Sequence, residues 1–236
     1  MEWAREREAH HNVSVWTNGH TCDEWKCNMV FQYKSAGSYE TSERAIIRTF
    51  KTTVEPTIEP ITLAMLKDRL RIGSTLDFDV ELALILTQAR KQVEADTYRR
   101  LITQTVVGYM DEFRWVREIE IRLAPVSAIA SITYTDLSSV SQTFASSRYS
   151  TDFISTPPRI VLKTNQQVEY TEENTPNAVV ITMTAGYGST AASVPAAAKL
   201  AIVEYAKILW GGCDGSEKNY QRLISSLQWT AFHKVM

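Results

Sequence analysis

The apolar pattern of this chain changes period twice, and that change constrains the fold more than any single motif. Apolar residues recur at helical spacing from Thr62 to Arg100, alternate with a period of two from Thr103 to Ala185, and return to helical spacing from Pro195 to Trp210. A segment that reads as strands and lies between segments that read as helices belongs to the α+β class. The pattern predicts a small bundle of three to four helices, with a long antiparallel β insertion between the second and third, plus an extended N-terminal arm. The expected divisions are an arm over 1–57, a core over 58–212 and a tail over 213–236. Within the core the helices are expected at 62–72, 77–100 and 195–210, and the β insertion at 103–185.

Local signals support each element. Thr62 can cap the first helix, and Gly73 is placed to end it. The second helix starts near Asp77 or Asp79, where carboxylates suit the positive end of the helix dipole. Leu82, Ile85, Leu86, Ala89 and Val93 form its apolar stripe, with Arg90, Lys91, Glu94 and Asp96 expected largely off it. Strands are expected at 103–111, 118–123, 128–135, 159–163 and 179–184, separated by turn-rich stretches. Alternation should leave one face of the sheet polar and partly solvated. Ser193 offers an N-cap for the third helix, Pro195 fits its first turn, and Gly211 and Gly212 stop it.

With 236 residues the chain can bury one sizeable core plus an appended arm. Residues 1–55 contain no proline, yet hold three of the four histidines, two of the three cysteines and three of the six tryptophans. That composition marks them as a separate extension, and short runs such as 12–16, 29–33 and 45–50 read as strands or extended arms. A net charge of -2 supplies no basic footprint for gripping DNA. No window has the roughly 20 apolar residues that cross a bilayer, and the start lacks a signal peptide's apolar core. Three cysteines form no disulfide framework, so the expected compartment is a reducing cytoplasm.

Four stretches, in order, carry a resemblance to a family. They are Ile61 to Lys67, Leu101 to Thr105, Leu123 to Ile129 with Ile132 to Tyr134, and Thr184 to Gly188 with Val194-Pro195. Over about residues 58–212 the chain resembles the head-to-tail connectors, or adaptors, of tailed phages and gene transfer agents. Their order and spacing together carry the likeness. The first 55 residues fall outside it.

The resemblance implies a structural virion protein with no catalytic chemistry and no cofactor. It implies a ring matching the portal's symmetry, usually twelvefold, docked beneath the portal and facing the next neck or tail protein. Double-stranded DNA would pass through the channel unbound, and no membrane is involved. The chain would reside in the virion neck, after assembly in the host cytoplasm. A neck stopper or tail terminator is the rival within assembly, expected to be β-dominated.

Candidate contact residues follow from these expectations. The segment with Tyr220, Leu223, Leu227, Trp229, Phe232 and Met236 either completes the core or meets the portal, since exposed apolar patches and aromatic anchors mark interfaces. The turns with Asp136, Ser139, Glu173 and Asn177 are the expected tail-side loops. Lys67, Arg69 and Arg71 are the candidates for lining the channel, although solvation or salt bridging is the commoner role of such charges.

Two chemical readings compete with assembly. His20, Cys22 and Cys27, with His10 or His11, have the right atoms for zinc, but their spacing fits no common module. A zinc-stabilised nucleic-acid-binding module would rest on them. Cys213 as a nucleophile would need His233 as its base, and a turn after a helix explains its Gly-Gly-Cys-Asp-Gly setting as well.

Overall fold

The computed structural model describes residues 13–15, 21–23, 44–47, 49–113, 117–168, 170–172, 175–212 and 215–228. The chain divides into two compact units, Met1–Glu43 and Arg44–Met236. In the first, strands β1 (Val13–Val15) and β2 (Thr21–Asp23) pair antiparallel, with Ser14 opposite Cys22.

The second unit is α+β, with four helices and two sheets among its described residues. Strands β3 (Arg44–Ile47) and β4 (Thr49–Val54) come first, followed by helices α1 (Leu63–Leu70) and α2 (Asp79–Thr97). Seven strands follow: β5 (Gln104–Met110), β6 (Glu118–Ile121), β7 (Val126–Thr135), β8 (Ser141–Thr143), β9 (Tyr149–Asp152), β10 (Arg159–Leu162) and β11 (Val179–Ala185). Helices α3 (Ala196–Gly211) and α4 (Ser216–Leu227) close the order.

Two sheets replace the single antiparallel sheet expected from the alternation. One is five-stranded in the order β4-β5-β11-β7-β8, and the other four-stranded in the order β3-β6-β10-β9. The second is mixed, because β3 runs parallel to β6 with Ile46 opposite Glu120. Both edge strands from residues 44–54 thus enlarge sheets whose other members lie far along the chain. Central strand β11 alternates buried and half-buried residues along its whole length, pairing Ile181 with both Gly108 and Ile132. Its inward side chains, Val179, Ile181 and Met183, are fully buried. They meet Ile47, Ile121 and Ile160 of the other sheet in one apolar cluster. Phe113 and Phe144 extend it in an edge-on contact with centroids 5.0 Å apart.

A second cluster is helical. Leu82, Leu86, Ala89 and Val93 of α2 pack with Leu66 of α1, Ala198, Ala201 and Ile202 of α3, and Ile224 of α4. This is the stripe that the periodicity predicts. Thr62 caps α1 as expected, its hydroxyl accepting from the Met65 N–H at 3.2 Å.

Two caps differ from expectation. Helix α1 ends before Gly73, because Arg71 takes the left-handed conformation with φ 58° and its N–H bonds back to the Asp68 carbonyl. The Ser193 side chain does not cap α3. It lies in a short 3-10 turn, hydrogen-bonded to the Thr190 hydroxyl, and the helix starts after Pro195. Leu101 and Ile102 belong to the helical cluster, and β5 begins two residues later. The polypeptide therefore passes from one core to the other with almost no linker.

Candidate assembly surfaces

The joint between the two cores is polar and buried. Arg90 is 2% exposed and Glu94 4%, although the helical pattern places both off the apolar stripe. The reason lies outside α2. The linker after β4 folds over the helix, and its Glu59 accepts from Arg90 Nε at 2.9 Å while Glu55 accepts from Nη2 at 3.4 Å. Arg90 Nη1 donates to Glu94 at 3.1 Å. The second oxygen of Glu94 accepts from the Leu101 N–H at 2.9 Å and from Gln104 Nε2 at 3.1 Å. Gln104 Oε1 in turn accepts from the Thr52 hydroxyl. One guanidinium and one carboxylate thereby tie together β4, the linker, α2 and β5. Burial raises the Glu94 pKa, and the lowering pull of Leu101, Arg90 and Arg100 does not cancel it.

The C-terminal helix is part of the core. Tyr220 is 2% exposed, packs against Tyr205 with centroids 5.0 Å apart, and donates its hydroxyl to Asp96. Burial, followed by that carboxylate, pushes its phenol far above the ordinary value. Leu223 and Leu227 are half-buried against the same cluster. Gln228 Nε2 donates to the Asp96 carbonyl, and Arg99 Nε to the Leu227 carbonyl, so the end of α4 is fastened to the end of α2. Trp229, Phe232 and Met236 lie outside the described residues.

Of the channel candidates, Lys67 is buried. Its ammonium donates to the Thr75 carbonyl at 2.6 Å and pairs with Asp79, bracing the α1–α2 connection. Arg69 and Arg71 are exposed beside it.

The turn candidates come together at one end of the five-stranded sheet, the end away from the helices. Asp136 follows β7, and its carboxylate accepts from the Ser138 and Val140 N–H groups and from Gln142. These bonds hold its carboxyl below the usual range, Gln142 contributing most. Ser139 donates to Glu172 at 2.8 Å, linking this turn to the segment before β11. Asn177 sits across the sheet, with its N–H on Asp111 at 2.8 Å. Glu173 lies outside the described residues. Leu137 and Tyr170, 66% and 56% exposed, give this end an apolar component.

A further surface was not expected from the sequence. Val80 and Leu84, 79% and 69% exposed, stand on the side of α2 opposite Leu82 and Leu86, with Leu76 at 76% just before them. The signal was present as apolar residues off the stripe, but a period of 3.6 says nothing about why they are there.

Among the chemical candidates, His10, His11, His20, Cys27, Cys213 and His233 lie outside the described residues, and only the backbone of Cys22 is described, in β2. Among the described residues no group of three or more His, Cys, Asp or Glu side chains could hold a metal ion. No described helix is long and apolar enough to cross a membrane.

No family model matches the sequence, and no curated protein matches it. Solved structures do match. A chain in the virion of a native gene transfer agent particle superposes with a TM-score of 0.62 at 17% identity, over 77% of this chain and 95% of that chain. A chain in the neck of an empty particle, computed with C6 symmetry, gives 0.60 at 20% identity over the same shares. The chain has the fold of a gene transfer agent neck chain. In the neck of a native particle, computed with C12 symmetry, a chain gives 0.53 at 18% identity, over 75% of this chain and 94% of that chain. The neck-chain fold bears out, at the level of fold, the resemblance drawn from the four sequence stretches. It accounts for nearly the whole length of the neighbours, and what this chain has beyond it amounts to about a quarter of its residues.

Proposed function

We propose that the chain is a structural neck protein: a head-to-tail adaptor that forms a ring beneath the portal, continues the DNA channel and presents its other side to the next neck or tail protein. The observation that carries this reading is the neck-chain fold, shared over 95% of the neighbouring chains. The described helices and strands are present in nearly equal amounts, which suits an adaptor better than a β-dominated stopper or tail terminator.

A ring of identical copies requires two different, complementary faces on each copy. Twelve is the expected number, in keeping with the C6 and C12 symmetries used for the neighbours' necks. The function is mechanical. A net charge of -2 per copy suits a channel that lets DNA slide past without holding it. The hydrogen-bonded end with Asp136, Ser139 and Asn177 takes the tail side. The segment that follows α4, with Trp229, Phe232 and Met236, takes the portal side.

Removing residues 229–236 leaves α4 and the core contacts described for it in place, and a circular dichroism spectrum unlike the wild type's would assign the segment to the core rather than to the portal. We expect binding of the shortened chain to the portal of its own particle, read by sedimentation, to weaken at least about 100-fold, as for loss of aromatic anchors. Undiminished binding would overturn the portal-side assignment.

A further inference from the structure

Resting on that ring reading, we infer that neighbouring copies meet through the outer side of α2 on one copy and the outer side of α4 on the next. Residues 76–88 contain three carboxylates, Asp77, Asp79 and Glu81, and no lysine or arginine. Asp79 is engaged by Lys67, while Asp77 and Glu81 are exposed beside Leu76, Val80 and Leu84. This is an apolar stripe with an acidic border. On α4, Lys218 and Arg222 are exposed on the side opposite Tyr220 and Ile224, which are buried. They are four residues apart, as are Val80 and Leu84, so both stripes repeat once per helical turn.

The two stripes suit each other chemically. Lysine and arginine lay their aliphatic stems along apolar surface while the charged heads reach past it. Stems over Val80 and Leu84 would bring the heads to Asp77 and Glu81. Inside one copy the stripes cannot meet, because Leu82 and Leu86 turn toward the cluster that holds α3 and α4 while Val80 and Leu84 turn away from it. Each copy therefore offers one acidic, apolar face and one basic face, in different directions. That is the head-to-tail arrangement from which a closed ring is built.

Native mass spectrometry and sedimentation of the full chain test this. The wild type should self-associate. V80D/L84D and K218E/R222E should each retain the wild-type circular dichroism, because the changed side chains are exposed, and each should raise the midpoint of self-association at least about 100-fold. Mixed in equal amounts, the two variants should form a discrete one-to-one dimer, since each retains one intact face. E81K and K218E should each weaken assembly, and the double variant E81K/K218E should restore it. Wild-type multimers together with unimpaired variants, or a mixture that gives no dimer, would overturn this interface and leave the ring reading standing. A wild type that stays monomeric up to millimolar concentration would likewise overturn this interface, while the ring reading itself is decided by whether copies close into a ring on the portal.

Discussion

Replacing Arg90 with alanine should cost the fold about 3–5 kcal/mol, the range for removing one partner of a buried ion pair. For a unit of this size the melting temperature should fall by about 10 °C. The cost arises less from the lost bonds than from the charge left behind. Glu94 is 4% exposed and already has its pKa raised by burial, even with Arg90 at 3.1 Å. Without the guanidinium the charged form of Glu94 would keep only the Leu101 and Gln104 amide donors and the pull of Arg100 against its burial.

The pH dependence fixes the sign. A carboxyl whose folded pKa is raised is favoured in its protonated form, so its contribution is fully present below the ordinary value of 4.5 and is lost as pH rises through the folded pKa. The deficit of Arg90→Ala should therefore narrow as pH falls from 7.5 toward 5. Glu55 carries the opposite sign. Its burial would raise its pKa, but Lys91 and Arg90 bring it below the ordinary value. At 50% exposure, solvent screens that effect to little. Urea unfolding of both proteins at the two pH values decides the matter, and a deficit that does not change with pH would contradict this role for Glu94.

Gly186→Val should be the most damaging single change at the joint. Gly186 has φ +135°, and a Cβ there would lie 2.5 Å from both the Ile102 carbonyl carbon and the Thr103 nitrogen. Backbone strain of this kind costs about 1–3 kcal/mol, and the clash adds to it because its partners are main-chain atoms. The surrounding turn has no slack. Gly186 N–H donates to the Pro125 carbonyl, Tyr187 N–H to Leu101 and Thr103 N–H to Gly188, at 2.9, 3.2 and 3.0 Å. These bonds hold the end of β11 against the start of β5, where the sheet meets the helices. The variant should accumulate as insoluble protein, and any soluble fraction should melt at least about 10 °C below wild type. A soluble variant with an unchanged melting temperature would show that this approach is not what holds the joint.

The long periodic elements were legible in the sequence because their signal is internal. The buried side of α2 and the cap at Thr62 each depend on residues within a few positions. The ionic joint was not legible for the opposite reason. Arg90 and Glu94 look like solvated helix residues until Glu55 and Glu59, more than thirty positions earlier, fold over them. The division into two sheets was hidden in the same way, since β3 pairs with β6 across about seventy residues. Strand β8 was missed because Ser141, Gln142 and Thr143 are all exposed and show no apolar alternation. Among the assembly candidates, the sequence brought out the turns at the distal end of the sheet. It gave no reason to single out Val80 and Leu84, whose meaning depends on which side of α2 the core occupies.

Imaging the full chain together with the portal of its own particle is the most direct test of the proposed role. The expected image is a closed ring of copies, twelve by the symmetry reading, coaxial with the portal and open along its axis. Single copies scattered on the portal, a ring that never engages it, or no association at all would contradict the adaptor role.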